Sequence, residues 1–452
     1  MLLKIINSGI KFLLIQCVFV SGLKAQKITP ETALDSYLAN GDKTFKWEAK
    51  DSFVIGDVTY YNVLLTSQKW REFTWTHQLT IMVPKENKHD DALLFITGGH
   101  NRNGLPEWNS KNEDDMYNSL GKVASTNKAI VVLLKQTPNQ PFYDDLTEDA
   151  LISYTLHNFK KDKDYSWPLL FPMVKSAVKA MDAVQEFSKQ KLNHTVNRFV
   201  VTGASKRGWT TWLTGASDKR VEAIAPMVID ILNMPISLDY QIKSWGDYSV
   251  QIEDYVKLGI PQSTGSPEGE AITTMIDPFS YREKLTMPKM IFMGTNDEYW
   301  VVDNIKNYLS KIPGDNMLHY VPNAGHDLGD GKQAMEALSA FFGATVDKKP
   351  YNECKWTQSI AENSVKLDIQ ATANVLEDVI LWSANSADQD LRDDKWTSKS
   401  LGIKNKSSVK VSATFPVSGF RAFYVDLKYK TPKGDYYTES TRVFLTDSKS
   451  LL

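Results

Sequence analysis

The sequence predicts an α/β fold, in which a mostly parallel, doubly wound sheet is followed by a smaller all-β domain. Continuous apolar runs such as 92–97 alternate with helical patterns, and this alternation is typical of parallel strands that are buried on both faces. After residue 346 the helical patterns stop, and short alternating strands follow at regular spacing. The 452 residues are enough for a large core and a second domain.

Residues 1–25 have the pattern of a secretory signal peptide. Lys4 and Lys11 precede the apolar run 12–20, and a small residue, Ala25, offers a cleavage site. The apolar run is too short to span a membrane comfortably. We therefore expect a protein that is secreted or periplasmic after removal of the signal peptide, with no transmembrane segment in the mature chain.

One of the two cysteines, Cys17, lies within this predicted signal peptide. Residues 14–17 resemble a bacterial lipoprotein cleavage box, but glutamine is a poor residue before the cysteine, so lipoprotein anchoring through Cys17 is the less favoured alternative. Once Cys17 is removed, Cys354 is the one cysteine left and no internal disulfide can form. A secreted fold must then be held by its core alone.

The first domain is expected to cover residues 26–346. Its elements are a short helical leader at 26–45, antiparallel strands between 46 and 83, buried strands at 92–97, 129–134, 198–202, 221–229 and 289–294, and helices at 171–190 and 334–342. The stretch 233–275 is rich in Tyr, Trp, Ser and Gly. It fits either a lid over a site or ordinary helices that cover the sheet.

A serine lies at an abrupt turn from a buried strand to a helix. The strand 198–202 leads into the run GASKRG, and apolar residues at helical spacing follow it. Such a turn exposes the Ser205 hydroxyl and frees the next amide for an oxyanion, as in the nucleophile elbow of the α/β-hydrolase fold. Arg207 stands where the second glycine usually lies, and Gly208 comes one place late. Taken alone, G-x-S-x-x-G fits a plain strand–turn–helix corner equally well.

A candidate base follows the serine in the chain, as the order serine, acid, histidine of this fold requires. His326 lies in the turn NAGHD just beyond a predicted strand, whereas His319 lies within that strand. A general base must be carried by a loop that can reach the serine. His326 is therefore the preferred base.

A candidate acid lies between the two. Asp297 follows the apolar strand 289–294, at the carboxyl end where catalytic groups of parallel sheets gather. It would orient the His326 imidazole and stabilise its protonated form. Asp303 and Glu298 are the alternative acids. A lone Asp after a strand is often a helix cap. A serine, an acid and a histidine in the required order, each at the end of a strand, instead favour catalysis.

A second backbone donor for the oxyanion is expected at another strand–loop junction. The buried strand 92–97 is followed by two glycines and His100, and paired glycines let a backbone approach a ligand closely. We expect the amide of Gly99 or His100 to act together with the amide of Lys206. The alternative is an ordinary glycine-rich turn.

Charge and composition exclude several classes of function. The formal net charge is −2 at pH 7, and this near-neutral balance argues against nucleic acid as a partner. No cluster of His, Cys, Asp and Glu has the spacing of metal ligands in the sequence, so neither a metal nor another cofactor is expected. The expected partner is a small-molecule or peptide substrate.

The charged, proline-ended run 347–350 marks a domain boundary. Beyond it, strands are predicted at 364–372, 379–383, 407–415, 422–429 and 442–445. Together they predict a β-sandwich domain over residues 350–446, of immunoglobulin or fibronectin type. Since its strands carry no nucleophile–base pair, a supporting or targeting role is expected.

Three runs of the sequence resemble a known family: VTGASKRGWTTWLTGASDKRVEAIAPMVIDILNM, GTNDEYW and NAGHD. They are similar to the PhoPQ-activated pathogenicity-related proteins, a family of secreted proteins that resemble α/β-hydrolases. The resemblance extends from the early strands through His326. It implies the α/β-hydrolase fold, triad positions at Ser205, Asp297 and His326, and an arginine at 207 as the family's own pattern. It implies no settled substrate.

Two classes of function follow. The first is a serine hydrolase that cleaves a peptide or ester bond through an acyl-enzyme; carbohydrate esters are included, since G-x-S-x-x-G also occurs in glucuronoyl esterases. The second is a secreted binding or signalling protein that keeps the fold with little or no turnover. A complete triad favours the first. Arg207 stays protonated at working pH, so we expect it in an ion pair and not as a base.

Overall fold

The computed structural model describes residues 27–108 and 115–452. The predicted signal peptide, with Cys17 and the cleavage site at Ala25, lies outside the described residues. Within these two ranges, none of the helices combines the length and the apolar character that a membrane crossing needs.

One large sheet of 14 strands forms the centre of the protein. The strands that precede residue 350 are β1 (Lys46–Ile55), β2 (Val58–Trp70), β3 (Phe73–Pro84), β4 (Asp91–Ile96), β5 (Asn101–Arg102), β6 (Leu105–Pro106), β7 (Ile130–Leu134), β8 (Arg198–Ala204), β9 (Val221–Met227), β10 (Lys289–Gly294) and β11 (Asn316–Val321). Of these, β5 and β6 form a separate two-stranded ribbon, and the others join the large sheet.

The sheet is parallel in its middle and antiparallel at its first edge. From that edge the order is β1-β2-β3-β7-β4-β8-β9-β10-β11. The strands β7, β4, β8, β9, β10 and β11 run parallel to one another, whereas β1, β2 and β3 pair antiparallel and β3 also pairs antiparallel with β7. The predicted α/β class is confirmed as a mixed α/β fold around a large central sheet, with an antiparallel edge built from residues 46–84.

Helices cover both faces of this sheet, because parallel strands need long crossover connections. They are α1 (Ala33–Leu38), α2 (Asp115–Asn127), α3 (Glu148–Asp162), α4 (Leu170–Lys191), α5 (Lys206–Ser217), α6 (Met234–Trp245), α7 (Glu253–Lys257), α8 (Pro267–Ile276) and α9 (Lys332–Val346). Short 3-10 turns lie at Pro30–Thr32, Val250–Ile252, Pro261–Ser263, Pro278–Lys284, Asn304–Asn307, Leu309–Lys311 and Ala373–Val375.

Alternate residues of the buried strands enter two separate cores. Leu94 and Ile96 of β4 pack in one core with α4 and α5, and Leu93 and Phe95 pack in the other with α2 and α9. Successive side chains of a strand point to opposite faces of its sheet. A strand covered on both faces must therefore be continuously apolar, which explains the apolar run at 92–96.

The strands after residue 350 form two groups. They are β12 (Cys354–Ala361), β13 (Ser364–Ala371), β14 (Leu376–Ser386), β15 (Thr397–Ser400), β16 (Ser408–Thr414), β17 (Phe420–Lys430), β18 (Tyr436–Ser440) and β19 (Phe444–Thr446). Strands β12, β13 and β16 form a three-stranded sheet, while the others continue the large sheet. A third apolar core contains side chains of both groups. The immunoglobulin or fibronectin type of this region stays a prediction.

The two parts of the chain meet where β18 pairs antiparallel with β11, at Ser440 and Leu318. The large sheet thus runs on past the predicted boundary at residue 350. No local pattern could predict this pairing, because the two strands lie far apart in the chain and each reads only as a buried strand.

The stretch 233–275 folds into α6, α7, α8 and two 3-10 turns. Leu238 of α6, Tyr255 of α7 and Ile272 of α8 are buried, and they line a cavity that also touches Ser205. These helices therefore cover the region of the predicted site. Whether they open as a lid stays a prediction.

Candidate active site

Ser205 lies between β8 and α5 in a backbone conformation that few residues adopt. Its φ is 58° and its ψ is −126°, and a residue other than glycine is held there only by its surroundings. The Ser205 amide donates to the Met227 carbonyl at 2.9 Å, and the Ser205 carbonyl accepts from the Trp209 amide at 2.9 Å. Hydrogen bonds to the end of β9 and within α5 thus hold Ser205 in this conformation.

Two glycines of the elbow are needed for space. A Cβ atom at Gly203 would lie 2.8 Å from the carbonyl oxygen of Ile96, and one at Gly208 would lie 2.7 Å from that of Met227. Strand β8 and helix α5 approach β4 and β9 too closely for a side chain at these positions. Gly208 therefore makes a close contact even though it comes one place later than usual.

Ser205, His326 and Asp297 lie in one hydrogen-bonded row. The Ser205 Oγ is 2.9 Å from His326 Nε2. The His326 Nδ1 is 2.9 Å from Oδ2 and 3.1 Å from Oδ1 of Asp297. Because a carboxylate can only accept, Nδ1 carries the proton that is donated to Asp297, and Nε2 is left to accept from the serine hydroxyl.

The three side chains meet because their strands end at the same edge of the sheet. Ser205 follows β8, Asp297 follows β10 and His326 follows β11. Strands β8, β9, β10 and β11 are parallel neighbours, so their carboxyl ends lie side by side.

Asp297 is almost fully buried. Burial raises the pKa of its carboxyl, whereas the hydrogen bond and charge of His326 and the Tyr299 amide act to lower that pKa. The Tyr299 amide donates to Oδ1 at 2.8 Å. The carboxyl group is thus held from two sides in an orientation that faces the imidazole.

His326 is supported by two neighbours of Asp297. The Tyr299 ring stacks on the imidazole, with 4.0 Å between the ring centroids. The Glu298 Oε2 accepts from the His326 backbone amide at 3.0 Å. Glu298, an alternative acid in the sequence analysis, therefore contacts the backbone of His326 and leaves the ring to Asp297.

The other candidates bind different partners. His319 is buried in β11, its Nδ1 lies 3.0 Å from the Thr438 carbonyl, and burial lowers its pKa to about 4. Asp303 is fully buried and accepts from the Tyr240 hydroxyl at 2.9 Å and from Lys306 Nζ at 2.7 Å. His319 is thus paired with β18, and Asp303 is paired with α6 and with the 3-10 turn Asn304–Asn307.

The glycine loop lies next to the elbow because Ile96 of β4 is in register with Gly203 of β8. Lys206 is the first residue of α5, so its amide has no acceptor within the helix. Gly99 has a φ of 135°, which other residues rarely adopt. The His100 side chain is exposed. A role of the Lys206, Gly99 and His100 amides in an oxyanion hole stays a prediction.

Comparison with known families shows to which family the chain belongs. The sequence pattern of the PhoPQ-activated pathogenicity-related protein family matches residues 34–393. The chain belongs to this family. The matched range includes all three residues of the hydrogen-bonded row and continues through β14 into the loop that follows it.

Individual similar proteins span nearly the whole chain or its larger part. Autocrine proliferation repressor protein A of Dictyostelium discoideum is 30% identical in an alignment of 450 positions that covers 92% of this chain and 90% of that protein. Acetyl xylan esterase 1 from Thermoanaerobacterium sp. covers 70% of this chain and 95% of its own, at 18% identity and a TM-score of 0.48. An acetyl xylan esterase from Paenibacillus sp. R4 covers 68% and 91%, at 10% identity and a TM-score of 0.47.

Arg207 of this family member forms an ion pair below the elbow. Its Nη1 and Nη2 donate to Glu148 Oε2 at 2.8 Å and Oε1 at 2.6 Å, and its Nε donates to the Thr137 carbonyl. Burial raises the pKa of Glu148, but the charge and hydrogen bonds of Arg207 outweigh it and lower this pKa to about 2. The guanidinium also lies against Gly98, where a Cβ atom would be 2.5 Å from Nη2. Arg207 therefore joins the elbow to the glycine loop.

A largely apolar cavity opens beside Ser205. It is bounded by Ser205, Lys206 and side chains of α3, α5, α6, α7 and α8. In the ranges 27–108 and 115–452, no group of three or more His, Cys, Asp and Glu side chains is arranged to hold a metal ion.

Sequence reasoning missed several supports of the site. Glu148 and Tyr299 contact Arg207 and His326, yet neither position shows a pattern that would single it out. Asn296 Nδ2 donates to the carbonyls of Leu391, Arg392 and Asp394, at 3.1, 3.1 and 2.8 Å. The loop after β14 therefore contacts the residue next to Asp297. The run GTNDEYW contains Asn296, but its partners lie about 100 residues away and leave no local signal.

Proposed function

We propose that the protein is a serine hydrolase that cleaves an acyl bond, in an ester or a peptide, with Ser205, His326 and Asp297 as its catalytic triad. The observation that carries this proposal is the continuous row of hydrogen bonds from Ser205 Oγ through the imidazole to Asp297. A nucleophile, a base and an orienting acid in contact form the arrangement that acyl transfer needs. The strained backbone at Ser205 supports it, because strain is retained where function requires it.

In the first step, His326 Nε2 removes the proton of the Ser205 hydroxyl as Oγ attacks the acyl carbon. The imidazole then holds two protons, and the Asp297 carboxylate stabilises its positive charge through Nδ1. As the tetrahedral intermediate collapses, Nε2 gives its proton to the leaving alcohol or amine. The acyl group remains on Ser205 as an ester.

The negative charge on the acyl oxygen requires donors that are already in place. We assign this role to the Lys206 amide together with the amide of Gly99 or His100. The Lys206 amide lies at the amino end of α5, where the helix dipole favours negative charge. The strand register beside the elbow and the contact of Arg207 with Gly98 support a fixed position of the glycine loop.

In the second step, His326 activates a water molecule that attacks the acyl-enzyme. Its proton passes through Nε2 back to the Ser205 oxygen, and the acid product leaves. The acid and base roles of one imidazole thus alternate, and the enzyme returns to its starting protonation state.

The decisive experiment is labelling of the purified protein with a fluorophosphonate, followed by turnover assays with acyl and aminoacyl chromogenic substrates. We expect stoichiometric labelling of Ser205, and loss of labelling and of most turnover in Ser205→Ala. Ser217→Ala removes a hydroxyl at the other end of α5 and serves as the control, which should be labelled normally. A Ser205→Ala protein with full activity would overturn the proposal.

A second candidate is suggested by the name of the Dictyostelium relative, a repressor of proliferation. In that case this protein would bind a partner and turn over no substrate. A folded wild-type protein that neither reacts with fluorophosphonate nor hydrolyses any acyl substrate would favour this candidate over the hydrolase.

A further inference from the structure

The cavity beside Ser205 is lined mainly by apolar side chains. Trp209, Ile229, Leu238, Ile272 and Trp300 all contribute to its lining, and each of these side chains is at least 91% buried. Residues from the elbow helix, from the end of β9 and from the covering helices thus converge on one space. An apolar group placed there would leave water and contact mostly hydrocarbon.

The few charges in the lining neutralise one another. Lys206 Nζ lies 2.7 Å from Asp149 Oδ2, and the Tyr255 hydroxyl donates to Asp149 Oδ1 at 2.9 Å. Glu148, just behind them, is held by both guanidinium nitrogens of Arg207. The described lining therefore offers neither an uncompensated carboxylate to an ammonium group nor an uncompensated cation to an anion.

The position of the cavity indicates which half of the substrate would enter it. Ser205 and Lys206 belong to the lining, so the cavity lies directly beside the proposed nucleophile. His326, which must deliver a proton to the leaving group, lies outside the described lining. The leaving group has to face His326, and the group on the other side of the reacting carbon has to face the cavity.

We propose that this cavity is the acyl subsite, and that it selects uncharged acyl groups with an extended apolar chain or ring. The inference rests on the proposed function and narrows it, since an acetyl group has a single methyl to place against the apolar side chains of α5, α6 and α8 that line the cavity. It also disfavours aminoacyl substrates with a free amine, because an ammonium group would be buried there without a partner.

The first test uses the wild-type protein and p-nitrophenyl esters of acetate, butyrate, hexanoate and octanoate. Each buried methylene group should raise kcat/KM by roughly fourfold until the cavity is filled. An enzyme that labels with fluorophosphonate but shows no gain with chain length, or prefers acetate, would refute this inference and leave the hydrolase proposal standing. Absence of both labelling and turnover would refute the hydrolase proposal and this inference with it.

A matched pair of esters tests the charge argument. The 4-methylpentanoate and leucine p-nitrophenyl esters differ in one α-ammonium group. After correction for spontaneous hydrolysis, the uncharged ester should be favoured in kcat/KM by about tenfold or more. Preference for the leucine ester would overturn the proposed selection of uncharged acyl groups.

Two substitutions on α6 locate the subsite. Leu238→Trp would place an indole ring in the cavity, and it should lower the octanoate-to-acetate ratio of kcat/KM by about tenfold or more. Ile236→Trp, two residues away on the exposed side of the helix, should leave that ratio unchanged. An unchanged ratio in a folded Leu238→Trp protein would show that the acyl chain lies elsewhere. If Leu238→Trp does not fold, the wild-type ester series still decides the question.

Discussion

Among single-residue changes, Asp297→Asn has the clearest predicted effect on turnover. Asp297→Asn would replace a carboxylate that accepts from His326 Nδ1 at 2.9 Å by an amide of similar size. The imidazole would lose the charge that stabilises its protonated form and could adopt the wrong tautomer. We expect kcat to fall by about 10⁴-fold with little change in thermal stability, measured by steady-state kinetics and thermal unfolding.

The neighbouring carboxylate provides the control for that prediction. Glu298 accepts from the backbone amide of His326 and does not contact its ring. Glu298→Gln keeps an acceptor at this place, so its effect on kcat should stay within about tenfold. Equal losses in Asp297→Asn and Glu298→Gln would contradict the assignment of Asp297 as the acid.

Arg207 is expected to stabilise the fold through the contacts of its side chain with Glu148 and Thr137. Arg207→Ala would leave Glu148 and the Thr137 carbonyl without their main donor. We expect a loss of about 2–3 kcal/mol in the free energy of unfolding, because Glu148 would lose its bidentate charged partner and keep Lys206 at 3.6 Å. Denaturant unfolding measures this loss, and the double variant Arg207→Met with Glu148→Gln should recover part of it. An unchanged stability of Arg207→Ala, with a selective loss of turnover on anionic substrates, would instead indicate a substrate contact.

At the scale of elements, the loop after β14 contacts both loops that carry Asp297 and His326. Asn296 donates to three of its carbonyls. In addition, Asn323 exchanges two hydrogen bonds with the backbone of Trp396, at 3.1 and 2.8 Å. These contacts fix the ends of β10 and β11 relative to each other, beyond what the strand pairing provides.

Asn296→Ala tests this contact. Three carbonyls would lose a donor, and the loop that carries Asp297 would no longer be held from outside. We expect kcat and the rate of fluorophosphonate labelling to fall by about tenfold or more, with KM little changed, because small displacements of catalytic groups are costly. Asn352→Ala, which removes a hydrogen bond to the Tyr437 hydroxyl, is the matched control. Equal kinetics in both variants would show that the loop does not position the triad.

At the scale of the whole molecule, the strands after residue 350 extend the large sheet. A chain truncated at Lys349 would lose the partner of β11 at β18 and would expose a strand edge as well as apolar surface. It would also lose the carbonyls that Asn296 contacts. We therefore expect the truncated protein to aggregate or to label with fluorophosphonate much more slowly than the full chain, as size-exclusion chromatography and labelling would show. A monomeric truncated protein with wild-type labelling would contradict this expectation.

Buried carboxyl groups near this junction make the stability of the molecule depend on pH. Burial raises the pKa of Asp426 to about 7 and that of Glu439 to about 8. Since both values lie above those of the unfolded chain, the stabilising contribution is complete below about pH 4 and is lost progressively as the pH rises from there to the folded pKa of each group, about 7 for Asp426 and about 8 for Glu439. Each group lowers the free energy of unfolding by at most about 1.4 kcal/mol per pH unit in this window.

Glu439→Gln tests this dependence. Glutamine keeps the acceptor for the Tyr437 hydroxyl, which lies 3.0 Å from Oε1, and cannot ionise. The variant should be more stable than the wild type at pH 8, and the difference should shrink towards pH 5, as measured by denaturant unfolding at both values. The exposed Glu362→Gln serves as the control. A constant difference across this range would contradict the titration of Glu439.

The sequence by itself determined the features that local chemistry controls. Apolar runs, helical spacing and turn residues predicted the buried strands, the helices at 171–190 and 334–342, and the abrupt turn at Ser205. The order of Ser205, Asp297 and His326 at the ends of strands could also be read from the chain, because each strand ends where its apolar run stops. These signals are short in range and do not depend on what packs against them.

The tertiary structure decided what depends on pairing between distant segments. The contacts of Arg207 with Glu148, of Asn296 with the loop after β14 and of β18 with β11 join parts of the chain that carry no mutual signal. The cavity beside Ser205 likewise forms only when α6, α7 and α8 fold over the elbow. Burial, charge compensation and strand neighbours are properties of the assembled sheet, so a single sequence read along its length does not contain them in local form.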